Sequence, residues 1–432
     1  MKIYTVKSGD SIYSIAREYG TTPTAIIQDN LLDNPSRLVV GEDIVLLEPE
    51  KTYTVRGGDT LTSIAAEFGT DVLSLYRNNP ILGGKSNVYP GQKLNISLGE
   101  APLGKIASNG YAYTTIDRDV LRRTLPYLTY LSVFSYGIDG EGSLIEPGNN
   151  EEEIISLARE YRTVPLLVLT SLGRDGKFSS ETVDKLLSDV GLSETVTNNI
   201  ARTVSEKGYG GVDVDFEYIP ADKAGQYAEF ISGLSETLGG EYPVFVSLAP
   251  KTSAEQPGLL YEGHNYYSLG EVADRALLMT YEWGYTYGPP LPVSPLNQVR
   301  RVIDYAVTEI DPDRLFLGVP NYGYDWTLPY VRGESKARSL SNVAAVRLAL
   351  DKKAEIKYDE AADAPFFTYY DRPETYSDAV EHVVWFENAR SADAMLRLVK
   401  EYGMYGAGVW NLRSYFPSLW NVMNSLYEVE KM

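Results

Sequence analysis

The sequence predicts an α/β protein: a (β/α)8 barrel with a small α+β insertion between its seventh and eighth strands, preceded by two small βααβ modules. Three observations carry that prediction. The first hundred residues contain one pattern twice; from Gly104 onward apolar strand-like runs alternate with helical ones; and one gap in that alternation is too long for a single helix.

The repeat can be read directly. IYTVKSGDSIYSIAREYGTT, beginning at Ile3, recurs as TYTVRGGDTLTSIAAEFGTD, beginning at Thr52, so that Tyr4 aligns with Tyr53, Gly9 with Gly58, Asp10 with Asp59 and Asn30 with Asn79. Each copy opens on a short alternating strand and a Gly-Asp turn. A helix follows, with Ser11 or Thr60 where an N-cap is expected. A second amphipathic stretch (Pro23 to Leu31, Val72 to Asn78) and a glycine turn (Gly41, Gly91) lead into the last strand. This defines modules at residues 1–48 and 51–98, each expected to fold as a unit of its own.

Residues 104–428 give the barrel. Its candidate strands are Gly110 to Tyr113, Tyr130 to Tyr136, Val164 to Leu169, Gly211 to Glu217, Val244 to Leu248, Ala276 to Tyr281, Leu315 to Pro320 and Gly406 to Trp410. Helical patterns fill the gaps, among them Glu151 to Tyr161, Ser193 to Lys207, Ala221 to Leu238 and Ala392 to Tyr402. Eight such units indicate a closed parallel barrel with its active site at the C-terminal ends of the strands. The long gap, about residues 323–390, holds strand-like PFFTYYD and HVVWFE and helix-like SNVAAVRLALDKK, an insertion expected to overhang the barrel mouth.

Composition narrows the chemistry. With 432 residues, 44% of them hydrophobic, the chain can bury a sizeable core over several domains. It has no cysteine, which excludes disulfides, thiolate metal sites and cysteine nucleophiles; two histidines, His264 and His382, argue against a histidine metal site or a serine-histidine triad. Neither a metal nor a cofactor is expected. A formal charge of -20 and a pI near 4.6 argue against nucleic acid and against an anionic membrane surface as partners. No run approaches the ~20 apolar residues of a membrane span. The opening MKIYTVKSGDSIYSIA lacks the apolar stretch of a secretory signal. The 34 tyrosines supply flat faces on which sugars can rest.

The most informative stretch is Gly210-Gly-Val-Asp-Val-Asp-Phe-Glu217. Strand side chains alternate, so Asp213, Asp215 and Glu217 share one face while Val212, Val214 and Phe216 share the other. Same-face neighbours lie roughly 6.6 Å apart along a strand. Ionising all three acids in a partly dry cleft is costly, so one proton is retained. A protonated terminal carboxyl beside ionised neighbours is the arrangement that general acid cleavage of a glycoside needs.

Two resemblances follow from these residues. The repeats resemble the LysM family of N-acetylglucosamine-binding modules, which implies binding of peptidoglycan or a related glycan beside the turns at Gly9, Asp10, Gly58 and Asp59. GGVDVDFE resembles the DxxDxDxE signature of family 18 glycoside hydrolases, the chitinase and endo-N-acetylglucosaminidase group. MTYEW at Met279 is similar to that family's MxYD, GVPNYGYDW at Gly318 to its GxPxYGxxW, and Trp410 stands at the expected end of strand eight. The resemblance implies that Glu217 is the general acid and that Asp215 orients the substrate's 2-acetamido group. It implies further that Asp213 supports Asp215, Tyr281 bonds the acetamido carbonyl and Trp410 floors the cleavage point. Glu282, Trp283, Asn321, Tyr322 and Tyr136 are candidate substrate contacts, with Tyr285, Tyr287 and Trp326 as further aromatics at the mouth.

Some positions depart from the pattern. Gly210 stands where the first Asp is expected, which removes a support for Asp213; Glu282 replaces the Asp of MxYD; Ser171-Leu-Gly-Arg174 keeps part of an SxGG segment; Tyr324 replaces an Arg. MTYEWGY, YGYDWTLPY and HVVWFENARS, joined to two LysM repeats, look most like spore cortex-lytic N-acetylglucosaminidases of endospore-forming bacteria. That likeness implies a retaining, substrate-assisted hydrolase of β-1,4 bonds in cortex peptidoglycan, spore-coat or spore-associated, or otherwise bound to the cell wall, and expected as a monomer. A chitinase or endo-N-acetylglucosaminidase on another glycan, or a non-catalytic glycan-binding barrel, are the alternatives.

Overall fold

The computed structural model describes residues 1–173, 178–371 and 379–432. Among these residues eight parallel strands close into a barrel. They are β1 (Lys105–Tyr113), β2 (Tyr130–Ile138), β3 (Val164–Thr170), β4 (Val212–Asp215), β5 (Val244–Leu248), β6 (Arg275–Leu278), β7 (Leu315–Pro320) and β8 (Gly406–Trp410), with β8 and β2 both paired to β1. The expected strands all form, and three have the expected ends. β4 stops at Asp215, two residues early, as the chain turns out of the sheet toward Tyr218, whose φ of 57° is left-handed.

The alternation of side chains builds two cores. Ala107, Tyr111, Tyr130, Phe134, Leu166, Val168, Phe245, Leu277 and Phe316 fill the barrel interior. The opposite faces of the strands pack on the surrounding helices. Helix Leu296–Glu309 buries Val299, Val302 and Ile303 at helical spacing, each worth ~1.5–3 kcal/mol of apolar burial. The helices expected near residues 151, 193, 221 and 392 form as Glu151–Glu160, Val190–Lys207, Ala224–Thr237 and Ala389–Tyr402.

The insertion is α+β. Its described strands run in the order Arg338–Leu340, Gly323–Thr327, Val380–Trp385, Ala364–Asp371, Lys357–Asp359, all antiparallel, with helix Asn342–Lys352 packed on one face through Ala345 and Ala349. Its first strand begins three residues after β7 ends, so the barrel wall runs directly into the insertion.

The repeats adopt the expected order. Strand Lys2–Thr5 pairs with Asp43–Leu46, and Pro49–Thr54 with Lys93–Leu98, around two short helices in each. Ser11 and Thr60 cap their helices, accepting from the amides of Ser14 (3.1 Å) and Ser63 (3.0 Å). Each repeat keeps a core of its own, around Ile15 and Ile44 in the first and Ile64 and Leu94 in the second, and each also bonds to the barrel. The C-terminal helix Pro417–Leu426 reaches both: Asn421 Nδ2 donates to Asp29 O (2.7 Å) and Asn424 Nδ2 to Asn78 Oδ1 (2.9 Å). Arg77 Nη1 donates to Pro126 O (3.1 Å), and Tyr127 OH returns a bond to Arg77 O (3.0 Å). Buried polar groups of this kind are matched in pairs, so each repeat is fixed against the barrel.

Candidate active site

The three acids lie where β4 delivers them. Asp213 is fully buried, Asp215 is 7% exposed and Glu217, just beyond the strand, is half-buried at the mouth. Burial raises the pKa of each carboxyl. Asp215 is pushed up furthest, by burial first and then by the charges of Glu217 and Asp213; Glu217 is raised by burial and by Glu282. Asp213 is raised less, because the hydroxyls of Tyr111, Ser132 and Ser247 around it favour its anion. Asp213 Oδ1 and Asp215 Oδ1 are both buried with no hydrogen-bond partner among the described residues. A buried carboxyl oxygen of this kind is satisfied by a proton or by a ligand group.

Gly210, standing where an Asp is expected, removes one support for Asp213. Its neighbours supply that support instead. Ser132 Oγ on β2 donates to Asp213 Oδ2 at 2.8 Å, and Asn109 Nδ2 on β1 donates to Ser132 Oγ at 2.9 Å. A Cβ at residue 210 would stand 2.5 Å from Val164 Cγ1, so the position has no room for an aspartate as the strands are packed. Sequence reasoning missed Ser132, Tyr111 and Ser247. The available signal was a serine in YLSVFSY on the same face as Tyr130 and Phe134, a hydroxyl facing the barrel interior.

Tyr281 follows β6 by three residues, and Trp410 ends β8. Tyr281 is half-buried, and its hydroxyl is held well above the usual phenol range by burial and then by the Asp215 charge. Gly318 on β7 makes space for it: a Cβ there would lie 2.9 Å from Tyr281 Cε1. Trp410 sits edge-on to Phe134 (5.0 Å between ring centres) and Tyr111 (5.5 Å), a braced flat face at the mouth.

Glu282, in a left-handed conformation (φ 66°), is exposed, and its Oε1 accepts from both Tyr322 and Tyr324 at 3.2 Å. Tyr324, noted in sequence only as a departure, thus joins the insertion to the cleft. The structure brings Glu282 and Tyr322 to the mouth but not every candidate contact. Tyr136 faces outward, 1% exposed, and donates to Glu151 Oε1 at 2.5 Å. Asn321 is buried, with its amide spent on Asn411 O (3.0 Å) and Ser414 O (2.9 Å). Trp283 packs against the outer core, and Trp326 is buried with Nε1 on Gly288 O (2.9 Å). Tyr285 and Tyr287 remain exposed. Arg174 of the partial SxGG segment lies outside the described residues.

In the repeats, Asp10 and Asp59 close their own turns. Asp10 Oδ2 accepts from Tyr4 OH (2.6 Å) and Lys7 N (2.7 Å); Asp59 Oδ2 accepts from Tyr53 OH (2.8 Å) and Arg56 N (2.7 Å). Their carboxylates shape the turn next to Gly9 and Gly58.

The profile of Glycosyl hydrolases family 18 matches residues 108–414, and that of the LysM domain matches residues 4–46 and 53–97. The chain belongs to glycosyl hydrolase family 18. This family 18 glycosidase is 37% identical to a Cortical fragment-lytic enzyme of Bacillus subtilis (strain 168), over 100% of this chain and 99% of that protein. Among solved structures, the Bacillus cereus spore cortex-lytic enzyme SleL superposes with a TM-score of 0.83 at 33% identity, covering 100% of this chain and 98% of that one. The Bacillus megaterium QM B1551 SleL gives 0.82 at 34%, covering 100% and 99%. The glycosidase therefore shares its whole layout, repeats included, with these relatives.

Proposed function

We propose that this glycosidase is a retaining N-acetylglucosaminidase of spore cortex peptidoglycan, working by substrate assistance, with the LysM repeats holding it to the glycan. The carrying observation is the row of three burial-raised acids ending at Glu217, with the Tyr281 hydroxyl within reach of their charge. The names of its full-length relatives support the cortex as the substrate.

Glu217, protonated because burial and Glu282 disfavour its anion, donates to the glycosidic oxygen as the bond to the anomeric carbon breaks. The substrate's acetamido oxygen attacks that carbon from the opposite face and forms a cationic oxazolinium. Asp215 faces the acetamido N–H and stabilises this cation, its charge adjusted by that of Asp213. Tyr281 donates to the acetamido oxygen. Glu217, now ionised, takes a proton from water as water opens the ring, and two inversions give net retention. One acid-base residue suffices because the nucleophile belongs to the sugar.

Digestion of purified cortex, with products identified by mass and anomers followed by NMR, tests the reading. Reducing-end N-acetylglucosamine of retained configuration is expected. Reducing-end muramic acid, or inversion, overturns it.

A further inference from the structure

The two repeats share a turn that meets different surroundings. In the first, Leu38-Val39-Val40-Gly41-Glu42 leads into the last strand; in the second, Val88-Tyr89-Pro90-Gly91-Gln92 does. The local geometry is the same. Gly41 has φ 85° and Gly91 φ 86°, the amide of each bonds the residue just after the first strand of its repeat at 2.8 Å (Val6 O, Val55 O), and the Glu42 or Gln92 side chain accepts from the amide of residue 39 or 89 at 3.1 Å.

Only the second turn is free. Tyr89 is 67% exposed, and a Cβ on Gly91 would meet nothing within 4 Å. The first turn is pressed into the insertion. Val39 is 5% exposed, in one cluster with Ala345, Ala349, Ile356, Phe367, Val384 and Phe386. Ile356 N donates to Val40 O at 2.9 Å, and a Cβ on Gly41 would lie 1.8 Å from Ile356 O. Polar contacts frame the patch: Arg347 pairs with Asp33, and Arg390 N donates to Asp43 Oδ2 at 3.3 Å.

The contact leads to the cleft in two steps. Val384, under the docked turn, lies on the strand Val380–Trp385, which pairs with Gly323–Thr327; Tyr324 on that strand donates to Glu282 at the mouth. We propose that the first repeat is a strut: Val39 and Gly41 are positioning residues that fix the insertion as one wall of the substrate cleft, and their turn is withdrawn from glycan binding. The second repeat keeps the free turn. This rests on the glycosidase reading above for the substrate, but the contact itself does not.

Paired variants test it, because the same change in the two turns carries the same local cost. Gly41→Ala and Gly91→Ala both force alanine to a φ that disfavours it, yet only the former collides with the insertion. Val39→Ser and Tyr89→Ser form a milder pair, checked for folding by thermal melts. On soluble cortex fragments, Gly41→Ala and Val39→Ser are expected to raise KM about three- to ten-fold with kcat changed less than two-fold, and Val39→Ile to restore KM. Gly91→Ala and Tyr89→Ser give the size of the local effect against which these KM changes are read. Hydrogen exchange adds a readout free of catalysis: Val39→Ser speeds exchange of the Ile356 amide at least ten-fold, and Tyr89→Ser does not. Unchanged KM and unchanged exchange in folded Val39→Ser overturn the strut. Retention on insoluble cortex separates the two readings. A loss in Tyr89→Ser alone supports the division; a loss in Val39→Ser as large as in Tyr89→Ser overturns the withdrawal of the first turn. No loss in either defeats glycan holding by these turns, while the KM and exchange results still decide the strut.

Discussion

Ser132 Oγ donates to Asp213 Oδ2 at 2.8 Å across the barrel interior, and this bond holds the acid row from beneath. It lowers the pKa of Asp213 against the upward push of burial and so favours the anion on Asp213, whose charge in turn raises Asp215. Ser132→Ala removes a hydrogen bond to a charged group, worth about 1.5–3 kcal/mol. The expected result is kcat lower by ~10- to 100-fold, with the acid limb of the pH profile moved to higher pH. A full pH-rate profile of the variant checks it, and an unmoved limb assigns the bond a purely structural role.

Glu217→Gln keeps size and hydrogen bonding but has no proton to give. Turnover should fall by ~10²- to 10⁴-fold, while binding of N-acetylglucosamine oligomers, measured by calorimetry, changes little. Substantial residual hydrolysis would move the acid role to another group, Glu282 being nearest in charge influence.

The interface of the first repeat also carries buried acids. Glu387 is pushed up from 4.5 to about 8, mainly by burial, and its Oε1 has no partner among the described residues; Asp29 is pushed up to about 7 in the same way. Folded Glu387 holds its proton to a higher pH than the unfolded residue does, so the folded state binds more protons between about pH 4.5 and about pH 8. Stability therefore falls as pH rises through that window and is fully present below it. Glu387→Gln, neutral at every pH, should raise the melting temperature at pH 8 and leave it nearly unchanged at pH 4.5. Melting curves at both pH values, for both proteins, provide the measurement.

Much of this architecture was legible because barrel strands are short, apolar and bounded by turns: Val244–Leu248, Leu315–Pro320 and Gly406–Trp410 begin and end where the pattern does. The acid row was legible for the same reason, since alternation alone puts Asp213 and Asp215 on one face. Tyr136 shows what alternation misses. It has the parity of Tyr130, Ser132 and Phe134, which face inward, but the pairing of β2 with β3 shifts register between Val133 and Tyr136, and beyond the shift the same parity faces outward. Asn321 was misleading for another reason. Its amide meets the backbone demands of the loop after Trp410, a long-range need that nothing near residue 321 in the sequence records. The docking of the repeats was equally hidden, because the contacts of Arg77, Asn421 and Asn424 join segments far apart in the chain.

Substrate choice gives a final prediction. The protein carries a formal charge of -20, and Glu282 stands exposed at its cleft beside the acid row. Such a cleft repels glycan whose muramic acids bear peptide carboxylates more than cortex glycan, where many muramic residues are neutral lactams. Initial rates are therefore expected to be highest on normal cortex, lower on lactam-deficient cortex and on chitin oligomers. The deficit on peptide-rich walls should shrink as salt is raised, since the Debye length falls from ~30 Å at 0.01 M to ~10 Å at 0.1 M. Chitin should show no such salt response, being uncharged, so any deficit there reports missing contacts rather than repulsion. Equal rates on lactam-deficient cortex at both salt concentrations would remove charge as the basis of selection, and faster cleavage of chitin would reassign the enzyme to a chitinase-like substrate.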